Sequence, residues 1–134
     1  MTAAVRDGVR DPALSGVELV ERAALSATAS DVLDADGYIL GSPVNLGYLS
    51  GALKHFFDQI YYPCLAVTQD RPFGAYLHGN EEATGALRAI DSITTGLRWR
   101  RVHPTIVVNG PPSPAEIAAC RELGAVVAAH LVSD

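Results

Sequence analysis

Apolar and polar positions along the chain change period several times, and each change marks an element. Met1 to Val9 is Ala/Val-rich and helix-compatible, with Gly8 and Pro12 as stops. Gly16 to Glu21 alternates apolar and polar, the pattern of a strand with one wet face near a sheet edge. Thr28 or Ser30 caps a short helix through Leu33. Gly37 to Gly41 is a short apolar run between glycines, which fits a strand buried on both faces. Ser42 to Leu49 contains Pro43, Asn45 and Gly47 and reads as a loop by turn chemistry. Ser50 then caps a helix whose Leu53, Phe56, Phe57 and Ile60 recur on one face, and Pro63 ends it.

The second half repeats the alternation. Pro72 to His78 predicts a third strand, closed by Gly79-Asn80. Glu81-Glu82 place negative charge at a helix N-terminus. That helix is expected to run to about Trp99, with Arg98, Arg100 and Arg101 suiting its C-terminal dipole. Pro104 to Asn109 predicts a fourth strand, and Gly110-Pro111-Pro112 breaks the chain. Ser113-Pro114-Ala115-Glu116 is a helix start with Ser at the N-cap, Pro at N1 and Glu at N3. The last helix carries Ile117, Leu123, Val126, Val127 and Leu131.

Helices alternating with strands predict an α/β fold: a mainly parallel sheet with helices on both faces, in one domain spanning residues 1–134. Ligands on such folds bind at the carboxyl ends of strands, near a switch in strand order. This singles out two loops, 42–50 and 78–84. Pro43 stiffens the first, and Gly47 lets a ligand approach the backbone closely. Their N–H groups, and the helix start at Ser50, can donate to an electron-rich ring edge. Two flat, donor-rich loops side by side suit a planar heterocycle.

Composition narrows the classes. Hydrophobic residues make up 49% and charged residues 19% of the 134, enough for a sizeable core. The net charge is −5 and Lys54 is the one lysine, which argues against a nucleic-acid surface. No apolar run approaches the ~20 residues of a membrane helix. The first residues hold no apolar signal-peptide core, so the expected compartment is the cytoplasm, with no membrane partner. Cys64 and Cys120 match no metal or redox spacing and read as buried thiols.

The stretch Asp36-Gly37-Tyr38-Ile39-Leu40-Gly41-Ser42-Pro43-Val44-Asn45-Leu46-Gly47-Tyr48-Leu49-Ser50-Gly51-Ala52-Leu53-Lys54-His55-Phe56-Phe57-Asp58-Gln59 resembles the second FMN-binding segment of the flavodoxin-like superfamily. It is most similar to the NAD(P)H-dependent FMN reductases and quinone reductases. Their pattern is a strand, Gly-(Ser/Thr)-Pro, a short loop, Ser/Pro-Gly-x-(Leu/Met)-Lys, an aromatic or aliphatic pair, then Asp. The resemblance implies a three-layer αβα sandwich with FMN at the strand ends. Ser42, Pro43, Val44 and Asn45 would face the isoalloxazine ring, and Gly47, Tyr48, Leu49 and Ser50 would complete that wall. His78, Gly79 and Asn80 match the third flavin loop in position and small-polar character. By the same resemblance Met1 falls inside the first helix, so the family's first strand and Ser/Thr-rich phosphate loop are expected to be missing. That strand lies centrally in the family, between those matching Val17–Glu21 and Gly37–Gly41. Its loss would remove about 5–6 paired residues and leave inner edges exposed.

Other constellations carry less. Ser50, His55 and Asp58 have the residue types of a hydrolase triad, but at i, i+5 and i+8 of one helix they do not converge. Lys54 and Asp58 read as a surface i,i+4 pair. His78 with Glu81 and Glu82 suggests a metal only weakly, since carboxylates at a helix start are ordinary capping charges. His103 and His130 read as surface groups. Arg98, Arg100 and Arg101 around Trp99 suit a helix end better than a dock for a dinucleotide phosphate. Tyr48 can stack on the ring or on a substrate, while Tyr61 and Tyr62 can serve core, subunit interface or pocket lid. The resulting expectation is an FMN-dependent NAD(P)H oxidoreductase that forms a homodimer or tetramer. It would pass electrons to a quinone, a free flavin or another small acceptor. No side chain is assigned a catalytic role. The rivals are a flavodoxin-type electron carrier, a cofactor-free protein of the same fold and, more distantly, a hydrolase.

Overall fold

The structure, a computed structural model, describes residues 1–132. Its elements are α1 (Thr2–Val9), a 3-10 turn (Pro12–Leu14), α2 (Ala29–Asp34), β1 (Tyr38–Asn45), β2 (Tyr48–Leu49), α3 (Gly51–Cys64), β3 (Pro72–Gly79), α4 (Thr84–Leu97), β4 (Arg100–Arg101), β5 (Ile106–Asn109) and α5 (Pro114–Val132). The five strands form one sheet in the order β2-β1-β3-β4, with β5 also pairing β3. All pairs are parallel except the β1–β2 hairpin. β4 pairs the start of β3 and β5 its end, so the two act as one interrupted strand.

The alternation of side chains along β1 and β3 divides the core in two. Tyr38, Leu40, Val44, Phe73, Ala75 and Leu77 face α3 and α4, where they meet Leu53, Phe57, Ile60, Ala86, Ile90 and Leu97. Ile39 and Tyr76 face α1 and α5 and pack with Val5, Cys120, Leu123 and Val127. Helices therefore cover both faces, as expected of a doubly covered parallel sheet. α1 crosses α5 at backbone contact. A Cβ on Gly8 would fall 1.9 Å from the carbonyl of Arg121, and one on Gly124 2.1 Å from that of Val5.

Several local readings hold. The Thr28 hydroxyl accepts from the Asp31 N–H while the Asp31 carboxylate takes the Thr28 N–H, a complete capping box for α2. Ser113 and Glu116 do the same for α5. Ser50 caps α3 through the Leu53 N–H at 3.1 Å. Lys54 and Asp58 form the predicted i,i+4 pair at 2.6 Å, which raises the lysine's pKa. Cys64 and Cys120 are buried and free, and burial pushes both thiols up.

Others are corrected. The 16–21 segment is no strand: residues 17–23 run without regular structure, because no other described segment reaches them with a ladder. The Glu21 carboxylate instead holds Arg6 with two hydrogen bonds of 3.0 Å, which lowers its pKa. β1 does not stop at Gly41 but continues through Asn45, so the predicted 42–49 loop is largely strand and hairpin. From Tyr38 to Pro43, β1 has a ladder only on its β3 side among the described residues, and proline is tolerated on such an edge. Pro63 lies inside α3, which ends one residue later at Cys64. α4 starts at Thr84, beyond Glu81-Glu82, and the Glu82 carboxylate accepts from the Thr84 hydroxyl. It ends at Leu97, where Arg98 adopts a left-handed φ of 60° and turns the chain inward.

That turn buries Trp99. Its ring stacks on Tyr38 at 4.2 Å between centroids, and its indole N–H donates to the Thr68 hydroxyl at 2.8 Å. Of the arginines around it, Arg98 stands at the helix end as the C-cap of α4, whereas Arg100 pairs with Asp70 at 3.1 Å, and Arg101 pairs with Asp91 and lies over the Phe73 ring.

Candidate functional site at the strand ends

The carboxyl ends of β1 and β3 lie side by side, with Pro43 opposite His78 in the ladder. Beyond them, β1 turns back through Leu46-Gly47 into β2, so Asn45 opposes Tyr48. Leu46 and Gly47 have φ values of 51° and 75°, as a two-residue hairpin turn of the primed kind requires. Gly47 is suited to this geometry, whereas leucine is an uncommon choice there.

This hairpin is fastened at three points. The Ser42 hydroxyl accepts the Ser50 N–H at 3.0 Å and donates to the Pro43 carbonyl at 2.8 Å. The Gly47 carbonyl accepts the Ala86 N–H at 3.1 Å, tying the turn to the start of α4. Gly85 permits that approach, because a Cβ there would stand 2.6 Å from the Gly47 oxygen. Gly79 likewise packs on Val44, where a Cβ would fall 2.9 Å from the valine Cβ. A second wall, His78-Gly79-Asn80, thus stands directly beside the first.

On the α1/α5 side of these walls lies a cavity of about 490 Å³. It is lined by Met1, Thr2, Gly41, Ser42, Pro43, Tyr76, His78 and Pro112. The Tyr76 phenol and the Thr2 hydroxyl share a 2.9 Å hydrogen bond, joining the sheet to the first residue of α1. The Tyr76 ring lies over Gly41, where a Cβ would meet it at 2.5 Å. His78 Nε2 bonds the Gly110 carbonyl at 2.6 Å, linking the ends of β3 and β5.

The predicted site residues separate into three groups. Ser42, Pro43 and His78 line the cavity. Asn45, Tyr48 and Asn80 are exposed beyond the strand ends and do not line it, and Gly47 and Gly79 are half-buried. Val44 and Leu49 are buried in the α3/α4 core, and Ser50 is occupied as a helix cap, so these three act by holding the hairpin's shape. Thr2, Gly41, Tyr76 and Pro112 were not singled out from the sequence. Tyr76 was within reach, because a period of two places it on the same face as His78. Ser50, His55 and Asp58 form no triad, since Ser50 caps the helix and Asp58 pairs with Lys54. His103 lies 3.7 Å from Glu122, and His130 contacts Arg100, both away from the cavity. Among the described residues, no helix is long and apolar enough to cross a membrane.

Known proteins share this architecture. The family model for NADPH-dependent FMN reductase matches residues 6–109. A protein described as flavodoxin from Aquifex aeolicus is 29% identical over 140 residues, covering 92% of this chain and 75% of that protein. Among solved structures, a WrbA-like flavodoxin from Agrobacterium tumefaciens superposes with a TM-score of 0.74 at 18% identity, covering 98% of this chain and 87% of the other. The flavodoxin of Streptococcus pneumonia TIGR4 gives 0.78 at 19% identity, covering 96% and 87%. The flavodiiron protein of Giardia intestinalis gives 0.81 at 14% identity, covering 98% of this chain but 32% of that one. These structural likenesses establish a flavodoxin-like fold.

Proposed function

The chain belongs to the NADPH-dependent FMN reductase family, and from that premise we propose that it binds FMN across the ends of β1 and β3 and reduces a small acceptor with electrons from NAD(P)H. The observation that carries this reading is that the hairpin at 45–48 and the 78–80 segment stand at the ends of adjacent strands, where Ser42, Pro43 and His78 line one cavity. The residues present fit the cofactor. The cavity is within the usual size of a small-molecule site, roughly 300–1,000 Å³. Its donor set is mostly uncharged: backbone N–H groups, the Thr2 and Tyr76 hydroxyls and the His78 imidazole. Such donors suit a flat heterocycle whose polar atoms lie along its edges.

FMN, when bound, supplies the redox chemistry, accepting a hydride equivalent and returning two electrons. The chain's own contribution is position and electrostatics. Ser42 and Ala86 hold the hairpin so that its N–H groups are already ordered before a ligand arrives. Tyr48, 40% exposed, offers an aromatic face to a ring. Leu46, 92% exposed, offers an apolar contact at the tip. No side chain is assigned as acid or base. Assembly into a homodimer or tetramer belongs to the same reading and is supported by exposed Leu25, Tyr62 and Val67.

The test is an FMN titration followed by flavin fluorescence, then NADH and NADPH oxidation assays with quinone and free-flavin acceptors. Saturable quenching at micromolar FMN, about 8 kcal/mol of binding, with turnover of one nucleotide, is the expected result. Binding without nucleotide turnover would favour an electron carrier, the alternative suggested by the relative described as flavodoxin. A folded protein that ignores FMN would overturn both readings.

A further inference from the structure

We propose that residues 17–21 are a strap that closes onto the free edge of β1 as a parallel strand, and that the ion pair between Arg6 and Glu21 is the latch that holds it open. From Tyr38 to Pro43, β1 is laddered to β3 and, among the described residues, to nothing on its other edge, where β2 pairs only Val44 and Asn45. Every second N–H and C=O of that stretch therefore points away from β3 toward an open edge. The edge has none of the usual guards against an added strand. Gly37 to Pro43 includes no charged residue, and Pro43 alone lacks an N–H. The opposite edge of the sheet does have them. It carries Arg100 and Arg101 on β4 and is interrupted at 102–105, with Pro104 in the interruption.

The 17–21 segment has the matching properties. Val17-Glu18-Leu19-Val20-Glu21 has the length of an ordinary strand, runs without regular structure and leaves Val20 53% exposed. Its connection to β1 suits a parallel pair. Residues 22–37 include α2, and parallel neighbours need a crossover of about a dozen residues or more, commonly helical. That crossover is already seated: Val32 is buried in the α3/α4 core, with Ala24, Ala27 and Ala29 packed against it. Before the strap, the 3-10 turn rests on α5, and Gly16 follows at a φ of 94° with open space around it, which makes it a hinge. At the far end, Arg6 donates to both oxygens of Glu21 at 3.0 Å and keeps the strap on α1. An exposed pair of this kind is weak and screened by salt, as a latch must be. Gly41, Ser42 and Pro43 belong both to the free edge and to the cavity lining, so the closed strap borders the cavity and narrows its open side.

The test is native amide exchange, followed by NMR, on the wild type, Leu19→Pro and Glu21→Gln, each checked for folding by circular dichroism. Proline at 19 removes an N–H from the strap and bars it from a ladder. Glutamine at 21 takes the charge from the latch. The N–H groups of residues 38–42 fall into two alternating sets. The set bonded to β3 reports an intact sheet and should exchange alike in all three proteins. The outward set reports closure. It should exchange about tenfold more slowly in Glu21→Gln than in Leu19→Pro, with the wild type between them. Equal outward-set exchange in the three folded proteins would overturn the proposal. If Leu19→Pro does not fold, equal outward-set exchange in the wild type and Glu21→Gln overturns it. Outward-set protection that grows with protein concentration would overturn it too, because the added strand would then come from a second copy.

Discussion

The hydroxyl of Ser42 accepts the backbone N–H of Ser50 at 3.0 Å, spanning eight residues and closing the hairpin at its base. Ser50 is itself the cap of α3, so this one bond joins the strand end, the turn and the helix start. Ser42→Ala removes the acceptor and leaves a part-buried N–H unpaired. The expected cost is about 1–2 kcal/mol in urea denaturation, with weaker FMN binding because the wall loses its tether. Unchanged stability and unchanged affinity would contradict this role.

At the tip of the same hairpin, Leu46 holds a φ of 51° with its side chain 92% exposed. Asparagine tolerates the left-handed region better than leucine and is favoured before glycine in this turn. Leu46→Asn should therefore raise stability by about 0.5–1 kcal/mol, read as a shift in the urea midpoint. If leucine serves as an acceptor contact, the same variant should raise KM for apolar quinones without changing the affinity for FMN.

The α1–α5 crossing predicts a large contrast between glycines. Gly124→Ala drives a methyl to 2.1 Å from the Val5 carbonyl, and the two helices must part. A loss of about 2–3 kcal/mol is expected in thermal or urea melts. Gly51→Ala is the control. Gly51 opens α3 with nothing within 4 Å of an added Cβ. Alanine there should be neutral or stabilising by up to about 1 kcal/mol.

Tyr38 sets an alkaline limit. Burial raises its phenol pKa, and the hydrogen bond from Arg71 and that residue's charge offset only part of the effect. Its hydroxyl donates to the Val32 carbonyl at 2.6 Å and accepts from Arg71 at 3.0 Å. The folded value lies above the unfolded one, so the folded state favours the protonated phenol. The resulting stability is fully present below about pH 10 and is lost as pH rises through the higher folded value. Tyr38→Phe should flatten this alkaline loss in denaturation midpoints taken from neutral to strongly alkaline pH. A wild-type midpoint that stays level across that range would contradict the assignment.

Burial also predicts thiol behaviour. Cys64 and Cys120 have no exposed surface, and desolvation raises both. Neither should react with a thiol reagent at mildly alkaline pH until denaturant is added, when both should react. Rapid labelling of the native protein would show that α3 or α5 opens locally.

Wherever short-range chemistry decides, the sequence alone was sufficient. Ser50 before Leu53, Phe56, Phe57 and Ile60 specifies a capped amphipathic helix, and Ser113 with Glu116 specifies another, because caps and helical period act within a few residues. The alternation of elements likewise determined the α/β class and directed attention to the ends of β1 and β3. The remaining features depended on partners distant in sequence. Residues 17–21 alternate like a strand but have no ladder, and a strand is stable only with a neighbour. Ser42 to Asn45 carry turn residues yet extend β1, because β3 pairs them as far as Pro43 and β2 takes up Val44 and Asn45. Trp99, read as helix end, is drawn inward by the stack with Tyr38 and the bond to Thr68. Only the tertiary structure could bring Tyr76 against Thr2, or fix His78 on the Gly110 carbonyl. Those contacts join residues 74 and 32 positions apart, and the packed sheet, not the local chain, sets their geometry.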